Sequence, residues 1–223
     1  MFKAIVIGGT GATGKQLLNQ LIRDKNCELV TSIGRRAVLD GEKNDKLVDI
    51  VVESLFELRS TEKYWKDNDV FFNCIGTTRQ RAGGSKEFIN IEFGISNEAA
   101  KMAANAKIPH ASLISAKGAN HKIWAKDWIH PLLYMKTIGQ KEQTIISNFS
   151  FNSVSIFKPG MLIRLQGKQT RFEEFIELKG FGLRVDILAS AMIHDAERVN
   201  LGLVKESPQY FIGNNLIKSS LIL

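Results

Sequence analysis

The sequence predicts an α/β fold built on a doubly wound parallel sheet. Three observations carry that expectation: short β-branched apolar runs, helix-length segments between them, and a glycine-rich turn directly after the first run. The runs cover residues 4–7, 29–33, 47–52, 70–75, 111–114 and 154–157. They are short and mostly β-branched or aromatic, which suits buried parallel strands. Between them, residues 14–25, 90–106 and 133–147 carry helical spacing and are long enough to cross from one parallel strand to the next. After Pro159 and Gly160 the rhythm changes. Residues 171–178 and 187–199 read as helices, and residues 210–212 are too short to classify. One domain is expected over residues 1–223, with residues 161–223 forming a small, mainly helical cap on the substrate side of the sheet.

Composition agrees with a single core. The chain has 223 residues, 44% of them hydrophobic and 24% charged, with four scattered prolines and no repeat. A formal charge of +7 favours an acidic ligand or partner. Lys and Arg are dispersed rather than gathered in a stripe, so nucleic acid is not expected as a partner. Cys27 and Cys74 are the only cysteines, and the second lies in an apolar run, which points to free thiols in a reducing compartment. The N-terminus reads directly as a strand and no run reaches about 18 apolar residues, so a soluble, cytoplasmic protein without a membrane span is expected. His110, His121, His130 and His194 show no ligand spacing with each other or with the cysteines, so no metal is expected. A hydrolase Gly-x-Ser-x-Gly elbow is absent too.

The turn after the first run reads Gly8-Gly9-Thr10-Gly11-Ala12-Thr13-Gly14. Glycines three apart at positions 8, 11 and 14 permit a tight turn, a close approach to a pyrophosphate and tight packing of helix on strand. The N–H groups at the start of the following helix face the anion. Strand, glycine turn and helix in that order make this a dinucleotide site of Rossmann type. An NAD site usually places an acidic residue at the end of the second strand, for the ribose hydroxyls. Here that place reads Gly34-Arg35-Arg36. Two guanidinium groups suit a 2′-phosphate, so NADP(H) is expected over NAD. Asp49 on the third strand either meets the adenine or is a solvated turn residue.

Five segments in order, Ile7 through Gly14, Ile33-Gly34-Arg35-Arg36, Cys74-Ile75-Gly76-Thr77-Thr78-Arg79, Ser115-Ala116-Lys117-Gly118-Ala119 and Phe157-Lys158-Pro159-Gly160, give the chain a nearly full-length resemblance. It resembles the Tat-interacting-protein oxidoreductases, atypical members of the short-chain dehydrogenase superfamily. The resemblance implies an NADPH-binding fold of that type. It also implies regulatory protein contacts, since members of the family are described as nuclear-transport and transcription regulators. Gly76, Thr77, Thr78 and Arg79 would then stand beside the cofactor, with Arg81 and the Ala82-Gly83-Gly84 turn as a rim.

In the superfamily a Tyr moves the substrate proton and a Lys four residues later lowers its pKa. Tyr134 occupies the place of that Tyr, but four residues on stands Ile138. Lys136 falls almost on the opposite helix face, whereas Lys141, seven residues on, returns to the face of Tyr134. Ser115 is followed by Ala116 where a second hydroxyl is common, and either orients a substrate carbonyl or ties down the strand-end backbone. Tyr134, Ser115 and Lys141 are therefore the candidate catalytic set, with a degenerate Tyr/Lys pair. Trp124 and Trp128 either wall the substrate or pack the cap, and Lys158 is read with its side chain toward solvent. Two functions stay open: an NADPH-dependent oxidoreductase on a carbonyl/alcohol pair, and a non-catalytic NADPH-sensing regulator acting through protein contacts.

Overall fold

The computed structural model describes residues 1–41, 43–126, 128–165, 174–176 and 181–222. Its strands are β1 (Phe2–Ile7), β2 (Cys27–Gly34), β3 (Leu47–Val51), β4 (Val70–Asn73), β5 (His110–Ile114), β6 (Ser153–Lys158), β7 (Met161–Ile163), β8 (Gly182–Arg184) and β9 (Gln209–Ile212). The helices are α1 (Ala12–Arg23), α2 (Arg79–Ala82), α3 (Ser85–Ile89), α4 (Ser96–Asn105), α5 (His130–Ser147), α6 (Val185–Asn200) and α7 (Asn214–Ser219), with a π-helical stretch Asn90–Ile95 joining α3 to α4.

Seven strands form one sheet in the order β3-β2-β1-β4-β5-β6-β9, and every pairing in it is parallel. The doubly wound parallel sheet expected from the sequence is therefore the fold. Alternation along β1 shows how it is covered. Phe2, Ala4 and Val6 enter one core with Leu17, Leu18 and Leu21 of α1 and Leu188, Ala189 and Met192 of α6. Ile5 and Ile7 enter the other, with Ala99, Ala100 and Ala103 of α4 and Ile145 of α5. Both faces of β1 are buried, so its apolar residues run on rather than alternating with a solvated side.

The C-terminal region is helical, as expected, but its parts are spread over the molecule rather than gathered on the substrate side. α6 packs against α1 on the sheet. Residues 210–212, unclassified from sequence, belong to β9, the seventh strand, held to β6 by Phe157 and Phe211 rings stacked 4.4 Å apart. β7 and β8 pair as a separate parallel ribbon that begins just after Pro159–Gly160. The helix expected over 171–178 lies largely outside the described residues.

Candidate dinucleotide and substrate site

The glycine turn folds as the spacing requires. Gly8 has φ +88°, a left-handed conformation, and a Cβ there would meet the Cys74 carbonyl at 2.7 Å. A Cβ on Gly14 would strike the Gly8 carbonyl oxygen, so the helix can start against the turn only without one. Gly11 donates its N–H to Gly8 O at 2.9 Å. α1 begins at Ala12, two residues earlier than its spacing suggested, and no side chain caps it at Gly11. The N–H groups of Ala12, Thr13 and Gly14 are therefore open at the positive end of the helix. Thr10 is exposed on the turn.

Arg35 and Arg36 directly follow β2, and both are exposed. Asp49 folds their turn back onto the sheet: its Oδ2 accepts the N–H of Val38 at 2.8 Å. Oδ1 of Asp49 is buried without a partner. Asp49 is thus not a solvated turn residue, and it keeps an acceptor for a donor the chain does not supply.

A cleft continues from this turn along the carboxyl ends of β4 and β5. It is lined by Gly11, Ala12 and Thr13, by Gly76, Thr77, Thr78 and Arg81, and by Ser115, Tyr134, Ile138, Lys141 and Glu92. Leu162 of β7 and Arg164 just after it complete the wall. The structure therefore gathers the glycine turn and the three candidate catalytic residues around one space.

Within it the side chains are tied differently from the expectation. Lys141 does not reach back to Tyr134. Its Nζ lies 3.2 Å from Glu92 Oε2 and donates to Ile75 O at 3.2 Å, with Lys141 and Glu92 each 2% exposed. The other oxygen of Glu92 accepts the N–H of Thr77 at 2.6 Å. Glu92 lies in the π-helical stretch, a widened turn that recurs at functional sites. Ser115 donates to Glu142, and Lys158 Nζ donates to the same carboxylate at 2.7 Å and to Ala119 O at 3.1 Å. The expectation that Lys158 points to solvent is wrong, because Glu142 draws its ammonium inside. A hydroxyl has one hydrogen to give. With that hydrogen on Glu142, Ser115 turns lone pairs toward the cleft and accepts rather than donates.

Tyr134 rests on Phe88, ring centroids 5.8 Å apart. Burial, then the charge of Glu92, push its phenol up to about 12, while Arg164 acts in the opposite direction. Ile138, 2% exposed, fills the position four residues on. Thr78 caps α2, accepting the N–H of Arg81 at 3.3 Å. Trp124 and Trp128 neither line the cleft nor pack on a cap, for both are exposed.

Sequence reasoning missed Glu92 and Glu142. One signal was available: Ile138, Lys141, Glu142 and Ile145 fall on the buried stripe of α5, where two charges in apolar positions demand buried partners.

No protein-family model matches the chain. Among curated proteins it is 34% identical over 161 residues to protein FMP52-1, mitochondrial, of Scheffersomyces stipitis, covering 72% of this chain and 67% of that protein. The chain belongs to the family of FMP52 and HTATIP2. Protein HTATIP2 of Rattus norvegicus is 29% identical over 185 residues, covering 83% of this chain and 72% of that protein. Protein FMP52, mitochondrial, of Meyerozyma guilliermondii is 32% identical over 162 residues, 72% of this chain and 65% of that protein. The match thus spans about two thirds of these family members' length. Solved structures agree on the fold. The oxidoreductase ylbE from Lactococcus lactis superposes with a TM-score of 0.68 at 14% identity, over 99% of this chain and 95% of that one. The Bordetella bronchiseptica enzyme WbmH in complex with NAD+ gives 0.69 at 11% identity, over 95% and 75%. Among the described residues no helix is long and apolar enough to cross a membrane.

Proposed function

We propose that this family member binds NADP(H) and acts as a reductase of a carbonyl compound, with Tyr134 as the proton donor. The observation that carries the reading is the single cleft running from the open N–H groups of α1 to Tyr134. At about 160 Å³ it encloses less space than the roughly 300–1,000 Å³ of ordinary ligand sites. It suits one end of a dinucleotide, with the rest over the glycine turn and outward to Arg35 and Arg36. The turn takes the pyrophosphate, the arginines take a 2′-phosphate, and the orphaned Oδ1 of Asp49 suits the adenine amino group. Bound there, the nicotinamide supplies a hydride.

Three side chains bear on the proton step. The phenol of Tyr134, pushed up to about 12, is protonated at neutral pH, the state a proton donor in carbonyl reduction needs, while the same rise makes it a weaker acid than an ordinary phenol. Ser115, its hydrogen held by Glu142, leaves that donation to Tyr134. Lys141, held by Glu92, acts on the cleft through Thr77 and the Ile75 carbonyl rather than on the phenol. Tyr134→Phe is expected to abolish NADPH oxidation across a panel of aldehydes and ketones while sparing cofactor affinity. Turnover that survives the change removes Tyr134 as the acid.

Ile138, standing where the superfamily places its lysine, favours a second reading: a non-catalytic NADPH-sensing regulator, as the resemblance implies. In it the cofactor orders the segment 77–84 for a protein partner. Capture of partner by the NADPH-loaded protein alone would support it, and equal capture with and without NADPH would sink it. The free, buried Cys27 and Cys74 agree with a reducing compartment. Cytoplasmic placement is our reading, and since family members are named mitochondrial, cell fractionation decides between the two.

A further inference from the structure

The segment between β5 and α5 has an edge that the site does not use. Lys122, Trp124, Lys126 and Trp128 are exposed, whereas His121, Ile123, Ala125 and Ile129 are half-buried. Trp124 is 64% and Trp128 72% exposed. Trp65 shows what the fold does with an indole it packs: 0% exposed, with Nε1 donating to Thr61 Oγ1 at 2.9 Å. Large aromatic surfaces left in water mark contact sites.

This edge is held in place. Asn120 donates its N–H to Met135 O of α5 at 3.1 Å, Lys122 donates its own to Asn120 Oδ1 at 2.9 Å, and Ile129 donates to Lys126 O at 3.0 Å. The bare Cα of Gly139 lets the backbone of Asn120 and His121 lie against α5. Lys126 Nζ stands 5.7 Å over the Trp124 ring. Lys117, tied to Pro159 O at 2.8 Å, and Arg81 on the cleft rim add exposed cations at the same end of the sheet, against the exposed carboxylate of Glu87.

We propose that the Lys122-Trp124-Lys126-Trp128 edge docks the chain on an anionic phospholipid surface, with the mouth of the cleft turned toward that surface. The chemistry matches on both counts. Indole rings settle at the headgroup level, apolar body inward and N–H toward water, and lysines extend to phosphate. A chain carrying +7 is drawn to a negative leaflet. Single-stranded nucleic acid fits less well, because it asks for a continuous basic groove with aromatic faces along it. Here cation and indole alternate at the exposed positions 122, 124, 126 and 128, with Asp127 the one acid in that stretch of sequence.

The test is sedimentation of the full chain with phosphatidylcholine vesicles containing phosphatidylserine, against vesicles of phosphatidylcholine alone. Binding to the anionic vesicles only is expected, and it should fall as the screening length shrinks from about 10 Å at 0.1 M salt to about 3 Å at 1 M. Lys122→Gln with Lys126→Gln should weaken it about thirtyfold, taking about 1 kcal/mol per lysine at a surface. Trp124→Ala with Trp128→Ala should weaken it by roughly tenfold or more. Both pairs of changes lie on exposed side chains, so thermal midpoints should match the wild type. Trp65 is shielded, so a blue shift of emission on anionic vesicles reports Trp124 and Trp128 directly. No sedimentation of the wild type, or sedimentation untouched by the tryptophan changes, overturns the proposal. So does retention by a single-stranded oligonucleotide in preference to the vesicles, which would assign the edge to nucleic acid.

Discussion

Lys141 and Glu142 are neighbours on α5 and lead to two separate buried ion pairs, one with Glu92 and one with Lys158. Each charge is tolerated inside because its partner is there and further hydrogen bonds use the remaining donors. Glu92→Gln should therefore destabilise the fold by about 3–5 kcal/mol, since it leaves an ammonium buried without its counter-charge. The paired change Lys141→Met with Glu92→Leu should cost far less. Urea unfolding of both variants checks this, and equal losses would mean that the pair is not the stabilising unit. Gly14→Ala acts on the turn: its Cβ meets the Gly8 carbonyl, so the turn or the helix start must shift. A loss of NADPH affinity larger than the loss of stability is expected, from titration beside thermal unfolding. At this scale the sequence was partly legible. The glycine turn declared itself through spacing, whereas Lys158 did not, because a charge at a strand end is ordinarily solvated and only the tertiary placement of Glu142 brings it inside.

The seam between β5, β6 and α6 carries a second buried polar group. His110 Nε2 lies 3.0 Å from Ser155 Oγ and 3.7 Å from Asp195 Oδ2. Burial pushes the imidazole down to about 3 and the Asp195 carboxyl up to about 6. For His110, unfolding takes up a proton below about 6.5, so stability is present above that pH and falls on acidification. For Asp195, the folded chain holds a proton between about 4 and 6 that the unfolded chain releases, so stability falls as pH rises through that window. The two slopes oppose each other. Asp195→Asn removes the second and should leave a loss of about 1.4 kcal/mol per pH unit on acidification from about pH 6 to 4, read from denaturant midpoints. A wild-type profile as steep as the variant's would contradict the assignment. Elements buried on both faces were easy to read, as with β1, β2, β5 and β6. β9 was not, since it is a short edge strand of alternating exposure and gains its place by stacking Phe211 on Phe157.

For the whole molecule, order along the chain and order in the sheet differ only as a doubly wound topology requires, so crossover-length helices between apolar runs sufficed to give the fold. What that pattern does not hold is where the last quarter goes. α6 and β9 finish the layers of the domain, and only Leu162 and Arg164 of that quarter, among the described residues, reach the cleft. The candidate site is correspondingly split between a glycine-turn half written in local motifs and a half, proposed above as catalytic, assembled from β4, β5, α5 and the π-helical stretch. In the second half Ser115, Tyr134 and Lys141 could be named without the fold, but their partners Glu92 and Glu142 could not.

Selection of NADP(H) by the glycine turn and the two arginines is read out by titrating the purified protein with NADPH and with NADH and following nicotinamide fluorescence. The wild type should bind NADPH the more tightly, and Arg35→Ala with Arg36→Ala should bring NADPH down to the NADH affinity. Equal affinities in the wild type would contradict the 2′-phosphate assignment, and binding of neither nucleotide would contradict the account of the cleft itself.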